Sequence, residues 1–336
     1  MNRVGAGQGG AGTAPGSPVL VHLPSPGAPD DRTSNAGGSA ISRRVRSVRA
    51  AWYVVRTTIL ILVTALLGFA AWLGIGSRLQ YDRAQHGDRA AFQAELALAR
   101  APTGPTQPGQ PGELLTLGTP VAVLVIPQIG LSAVVLEGTT GQVLEDGPGH
   151  LRGTPMPGQA GISVIMGRQA AFGGPFSRIS MLNAGAIFTV TTGEGRSRYR
   201  VLDVRRPGDP MLPPVPAGAG RLILATANGI PFVPAGLLEV DANLMSAPKP
   251  ASAMVVSAAD LRPADLRPGE QPLGVDTAAR LPMVLWGEGL VLAAVALSWL
   301  GPRWGRWRTR MVALPVLVYL CFAVADQVAR LLPNLM

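Results

Sequence analysis

The sequence predicts a mainly β domain, a barrel or a sandwich, carried by transmembrane helices. Three observations lead there. Between residues 120 and 245, short β-branched or apolar runs alternate with Gly/Pro turns. On either side of that region lie uncharged apolar runs of membrane-spanning length. Arginines cluster beside those runs.

The β region contains seven predicted strands: residues 121–126, 133–136, 162–166, 186–191, 199–204, 221–226 and 237–241. Thr192-Gly193-Glu194-Gly195 reads as a hairpin turn between the fourth and fifth. In 175–182, Phe176, Ile179 and Leu182 have helical spacing and predict one short helix.

Three apolar segments predict three transmembrane helices, at 57–77, 281–300 and 311–332. The first lacks a small-x-small cleavage site and follows a long tail, so it reads as a retained anchor rather than a signal peptide. Arg43, Arg44, Arg46, Arg49 and Arg56 precede it, and Arg303, Arg306, Arg308 and Arg310 fill the 301–310 loop. Positive-inside asymmetry puts both clusters in the cytoplasm and the β region outside a plasma membrane crossed several times. Residues 1–50, rich in Gly, Pro, Ser and Ala, bury too little to offset chain entropy and predict a disordered cytoplasmic tail. Residues 78–119 predict a helical stalk and Pro/Gly linker, and 246–280 a second linker.

Glu288 and Asp326 fall inside the last two apolar segments. At ~1.5 Å per residue both lie roughly 22–24 Å from the arginine loop, in the outer leaflet. Intramembrane carboxylates face a partner or water, and Arg330 stands one turn from Asp326 for pairing. These three form a candidate intramembrane polar contact; hydration near the interface is the plainer reading.

The chain of 336 residues carries a net charge of +9, nearly all of it arginine, with Lys249 the sole lysine. The arginines sit at membrane borders, and no aromatic-basic stripe points to nucleic acid. One cysteine excludes an internal disulfide and a Cys-rich metal site. His22, His86 and His150 lack ligand spacing, so no metal or cofactor is expected.

An ordered set of motifs resembles the sortases, membrane-anchored thiol transpeptidases. Val125-Ile126-Pro127-Gln128-Ile129-Gly130-Leu131 resembles the family's "IPKIGL", and Leu144 to His150 (LEDGPGH) its "L..GPGH". Gly153 to Gly161 (GTPMPGQAG) resembles "GT..PGE.GN". Gly167-Arg168-Gln169 stands where the family has "GHR", with Pro175-Phe176 after it. Leu222 to Ala227 (LILATA) stands at "L.L.TC" and Leu237 to Val240 (LLEV) at "RLVV". The pattern is closest to the housekeeping, class E-type sortases of actinobacteria. The resemblance implies a closed β-barrel of about eight strands with short helices, on the cell envelope.

It also implies a reaction: a cysteine thiolate attacks a Thr–Gly carbonyl, a histidine moves the proton and an arginine stabilises the oxyanion. Carried over by position, these three become Ala227, Arg168 and Leu237. A methyl cannot attack a carbonyl, an arginine cannot act as base, and leucine supplies no donor. Cys321 lies in an apolar segment. Thr226 and Ser163 are the candidate replacement nucleophiles, though Thr226 should point away from Ala227. His150 reads as a turn residue bonded to the backbone. The expectation is a catalytically degenerate binding or assembly protein whose groove residues Arg168, Gln169, Thr226 and Asn228 hold an envelope protein or peptide, with an active sortase as one candidate partner. An acyl transferase with a different nucleophile and a structural anchor are the alternatives.

Overall fold

The computed structural model describes residues 76–106, 114–250, 268–275 and 279–336, and part of 52–69. Eight strands close into a barrel: β1 Pro120–Ile126, β2 Leu131–Glu137, β3 Gly149–His150, β4 Gly161–Met166, β5 Ile187–Thr192, β6 Gly195–Arg205, β7 Gly220–Ile230 and β8 Val233–Leu244. The hydrogen-bonded order is β1-β2-β3-β4-β7-β8-β6-β5. The mainly β reading and the eight-stranded closed barrel therefore hold. β2 pairs with β3 and β4 with β7 in parallel; the other neighbours are antiparallel.

Alternation along the strands builds the core. Val121, Phe188, Val190, Tyr199, Val201, Leu222, Leu224, Val240 and Ala242 point inward and are buried. The Thr192–Gly195 pair closes the β5–β6 hairpin over Gly193-Glu194, as its turn residues predict. The 175–182 stretch is not an α-helix; it makes only a 3-10 turn, Ile179–Met181. Its predicted apolar face is nevertheless the buried one, with Phe176, Ile179 and Leu182 all in the core. One 3-10 turn suffices to bring that spacing to one side.

Two-residue β3 has no run for a pattern to register. Its geometry explains the Gly-Pro-Gly-His motif. Gly149 sits so close to the Gly138 carbonyl oxygen that a Cβ would collide with backbone. His150 is fully buried: Nδ1–H donates to Glu137 Oε2 at 2.9 Å and Nε2–H donates to the Pro155 carbonyl at 3.1 Å. Both ring nitrogens face acceptors, which favours the protonated ring. Burial pushes its pKa down, but the Glu137 charge and hydrogen bond together with the Pro155 carbonyl overcome this, and the net direction is up.

Three long helices and one short turn, α2 Val143–Asp146, lie against or beside the barrel. α1, Ser77–Ala97, does not stand off the barrel as a free stalk. Ser77, Gln85 and Phe92 share one buried face. The Gln85 amide donates to the Val134 and Asp146 carbonyls (3.1 and 2.9 Å), and its oxygen accepts the Val134 N–H (2.7 Å). The following linker is also held, since Gln159 donates to the Thr103 carbonyl at 3.0 Å. Within the 246–280 connector, 268–275 docks likewise: the Thr139 hydroxyl donates to the Glu270 carbonyl at 2.6 Å.

α3, Arg280–Trp304, and α4, Arg306–Leu331, pack as a hairpin and are long and apolar enough to cross a membrane. Much of their apolar surface is exposed, including Leu285, Leu292, Leu314 and Phe322, as lipid contact requires. Among the described residues these two are the only such helices, where the sequence predicts three. The described part of the first predicted span includes a shorter apolar helix, Thr58–Phe69; residues 57, 65 and 70–75 of that span, and the 1–50 tail, lie outside the described residues.

Two consequences can be measured. Gly149→Ala forces the β2–β3 ladder apart and should lower stability by about 1–3 kcal/mol in denaturant unfolding. Because His150 binds its proton more tightly folded than unfolded, its contribution is full below the ordinary value of 6.5 and is lost as pH rises through the raised one. Unfolding free energy should therefore fall with pH above 6.5, and Glu137→Gln should flatten that slope.

Candidate functional site

The ends of β4, β7 and β8 bring together the three positions that the motifs single out. Gly167 follows β4 and donates its N–H to the Ala225 carbonyl at 3.0 Å, which fixes 167–169 beside β7. Ala227 and Leu237 are direct cross-strand partners on β7 and β8. Their side chains share one apolar cluster with Leu144, Met166, Ala225 and Leu335.

Thr226 faces the other way, as strand alternation requires. Its hydroxyl donates to the Gly167 carbonyl at 2.8 Å. With the proton on a carbonyl acceptor, no base is placed to activate that oxygen. Ser163 shares the inward face of β4 with core residue Ile165 and is 3% exposed. Neither hydroxyl is arranged as a nucleophile.

One geometry does resemble a nucleophile–base–orienter chain: the Thr154 hydroxyl lies 3.1 Å from His150 Nε2, and Nδ1 faces Glu137. Its hydrogen bonds point elsewhere. The Pro155 carbonyl takes the Nε2–H, and the Thr154 hydroxyl donates to the Leu151 carbonyl at 2.7 Å. The group ties β2, β3 and the 151–155 turn together.

Arg168 is not a solvated side chain on a groove rim; it is the largest fully buried side chain among the described residues. Nη2 donates to the Gly141 carbonyl at 2.7 Å, Nε to Leu144 at 3.2 Å and Nη1 to Met336 at 3.4 Å. The Phe172 ring lies 4.8 Å beneath the guanidinium. Phe172 holds φ at +50°, a strained setting for a bulky residue that its neighbours must over-determine. Glu145 Oε1 lies 3.8 Å from Nη2. Burial raises the Glu145 carboxyl to about 7, against the pull of Arg168, and burial lowers Arg168 to about 10. Both shifts run toward neutrality, so desolvation outweighs mutual attraction in this pair.

Of the four predicted groove residues, Gln169, Thr226 and Asn228 line one polar cleft of about 220 Å³, and Arg168 does not. The cleft also takes in Ser177, Ser180 and the exposed Arg206, just past β6. Arg206 has no distinguishing signal in the sequence, because it follows Arg205 at a charged strand end. Gln169 Nε2 donates to the Gly229 carbonyl at 2.8 Å, across the mouth.

The predicted membrane contact forms only in part. Asp326 pairs with Arg330 at 3.1 Å. Glu288 is exposed on α3 and joins no ion pair among the described residues. Asp326 sits in a cleft of about 350 Å³ with Gln80, Phe172, Phe322 and Ala329, where α4 meets the barrel. Ala329 packs on Ala171 and Phe172, one turn beyond Asp326. Cys321 lies eight residues before Ala329, ~12 Å back along the helix and away from Arg168.

Comparison with known proteins follows this geometry. The family model described as the sortase domain matches residues 124–226. The chain is similar to sortase E from Streptomyces avermitilis, at 32% identity over 39% of this chain and 91% of that one, with a TM-score of 0.33. It is similar to sortase C-1 from Actinomyces oris, at 26% identity over 48% and 98%, with a TM-score of 0.34. It is also similar to a Clostridium perfringens sortase D5 transpeptidase, at 21% identity over 49% and 99%, with a TM-score of 0.40. Comparison with curated proteins gives no match. The matched segment begins within β1 and ends at Thr226 on β7, so it contains Gly167-Arg168-Gln169 and stops one residue before Ala227. With that match and 32% identity over 91% of a sortase E, the chain belongs to the sortase family.

Proposed function

We propose that this protein is a catalytically inert, membrane-anchored sortase of the class E type that binds a peptide or protein of the cell envelope. One observation carries the reading: the family's nucleophile position is Ala227, whose methyl is buried in an apolar cluster with Leu237, the position of the oxyanion cation. Arg168, at the base position, spends its donors on carbonyls of its own chain. Acyl transfer needs a nucleophile, a titrating group and a fixed donor at one point, and none of the three side chains supplies its part.

The polar cleft beside Ala227 remains, with Gln169, Asn228 and Arg206 on its walls. Peptide capture by backbone bonds and side-chain pockets requires no thiol. The α3–α4 hairpin anchors the barrel, with 301–310 in the cytoplasm and the barrel outside. The arginines of that loop support this sidedness. So does a hairpin whose two ends both meet the barrel face, where the Asn334 N–H donates to the Gly274 carbonyl at 3.0 Å.

The test is incubation of the purified protein with sorting-signal peptides. No cleavage or transfer is expected; steady turnover that disappears in Thr226→Ala would defeat the reading. Ala227→Cys alone should remain inactive, because Arg168 cannot accept the thiol proton. Arg168→Ala should cost about 3–5 kcal/mol in unfolding, as removal of one partner from a buried charged network does. A neutral effect would mean that Arg168 is free to read a ligand.

A further inference from the structure

Beyond α4 the chain turns at once, with the Met336 N–H donating to the Pro333 carbonyl at 3.0 Å, and settles over the ends of β4 and β7. Leu335 is fully buried against Leu144, Met166, Ala225 and Ala227. Its carbonyl accepts the Gln169 N–H at 2.9 Å, and the Met336 carbonyl accepts from Arg168 Nη1 at 3.4 Å. Asn334 is 1% exposed, and its amide nitrogen, with two hydrogens to give, lies among the carbonyls of Thr139, Gly269 and Gln271 at 2.8, 3.0 and 3.0 Å. Residues 334–336 thus meet the barrel as a bound peptide does, through backbone bonds to 168–169, one aliphatic side chain in a pocket and one amide clamped on carbonyls.

The pocket is shaped for that side chain. Its floor includes Ala227, whose methyl lies in the same apolar cluster as Leu335. The segment is also tethered a few residues beyond a docked helix. Short tethers give effective concentrations of about millimolar, so contacts too weak to hold a free peptide hold this one.

We infer that residues 334–336 are a built-in ligand of a peptide site formed by Arg168, Gln169, Ala225 and Ala227. A peptide from another protein enters only by displacing them, and it must present the same chemistry: an aliphatic side chain over Ala227, preceded by an amide. The inference rests on the peptide-binding reading above and names its ligand class.

The test uses the full-length protein in detergent or nanodiscs, with Ala227→Cys in a Cys321→Ser background, and measures labelling of the new thiol by a charged thiosulfonate. Labelling should be slow. Adding Leu335→Asp should speed it at least tenfold, and a millimolar Pro-Asn-Leu-Met peptide should slow it again. Asn334→Ala, which removes only the amide clamp, is read beside it in case the aspartate unfolds the barrel, and should also raise the rate. Labelling rates unchanged by both substitutions, with the barrel's melting transition retained, would overturn the inference. So would a peptide that leaves the accelerated rate untouched. These outcomes separate from the cleavage assay: turnover would remove the proposed inertness without altering labelling, and unaltered labelling would remove the cis ligand without producing turnover.

Discussion

The structure turns on one buried cation. Taking a guanidinium out of water costs several kcal/mol even after relaxation. Around Arg168 that cost is offset by charge-assisted bonds to the Gly141, Leu144 and Met336 carbonyls, worth roughly 1.5–3 kcal/mol each when short, and by the Phe172 ring. Those partners come from four places: the 138–142 loop, α2, the 169–174 loop and the segment after α4. None can leave without exposing or orphaning the charge. The arginine therefore organises the region where relatives of this fold would hold a proton-transfer group.

The same constraint supports the proposed lack of acyl-transfer chemistry. A site for acyl transfer must keep its groups exposed to substrate and poised to change protonation. Here the corresponding positions form an apolar cluster sealed from above by Leu335, beside a cation committed to structure. Burial drives Glu145 toward neutrality rather than creating an exposed acid–base pair with Arg168. His150, bonded to Glu137 and the Pro155 carbonyl, holds strands together.

Much of the barrel was legible because seven strands are long enough for alternation to show, from the 121–126 run to 237–241. β3 was not, since two residues carry no period. The α1 face was hidden because two of its three buried positions, Ser77 and Gln85, are polar, so hydropathy gives no stripe. Strand alternation alone placed Thr226 on the opposite face of β7 from Ala227, as found. The burial of Arg168 was not legible, because an arginine at a strand end ordinarily reaches water and only tertiary contacts reverse that. Residues 333–336 were unreadable for a similar reason: four residues after an apolar helix look like its end, and their role lies in what they touch.

The most direct measurement is the hydrogen-exchange rate of the Gln169 amide in the intact protein. Its acceptor is the Leu335 carbonyl, in a region closed by the buried cluster and Arg168. The account requires strong protection there, comparable with the core amides of β7. Exchange at the rate of an exposed loop amide would mean that the segment is not seated and the groove is open.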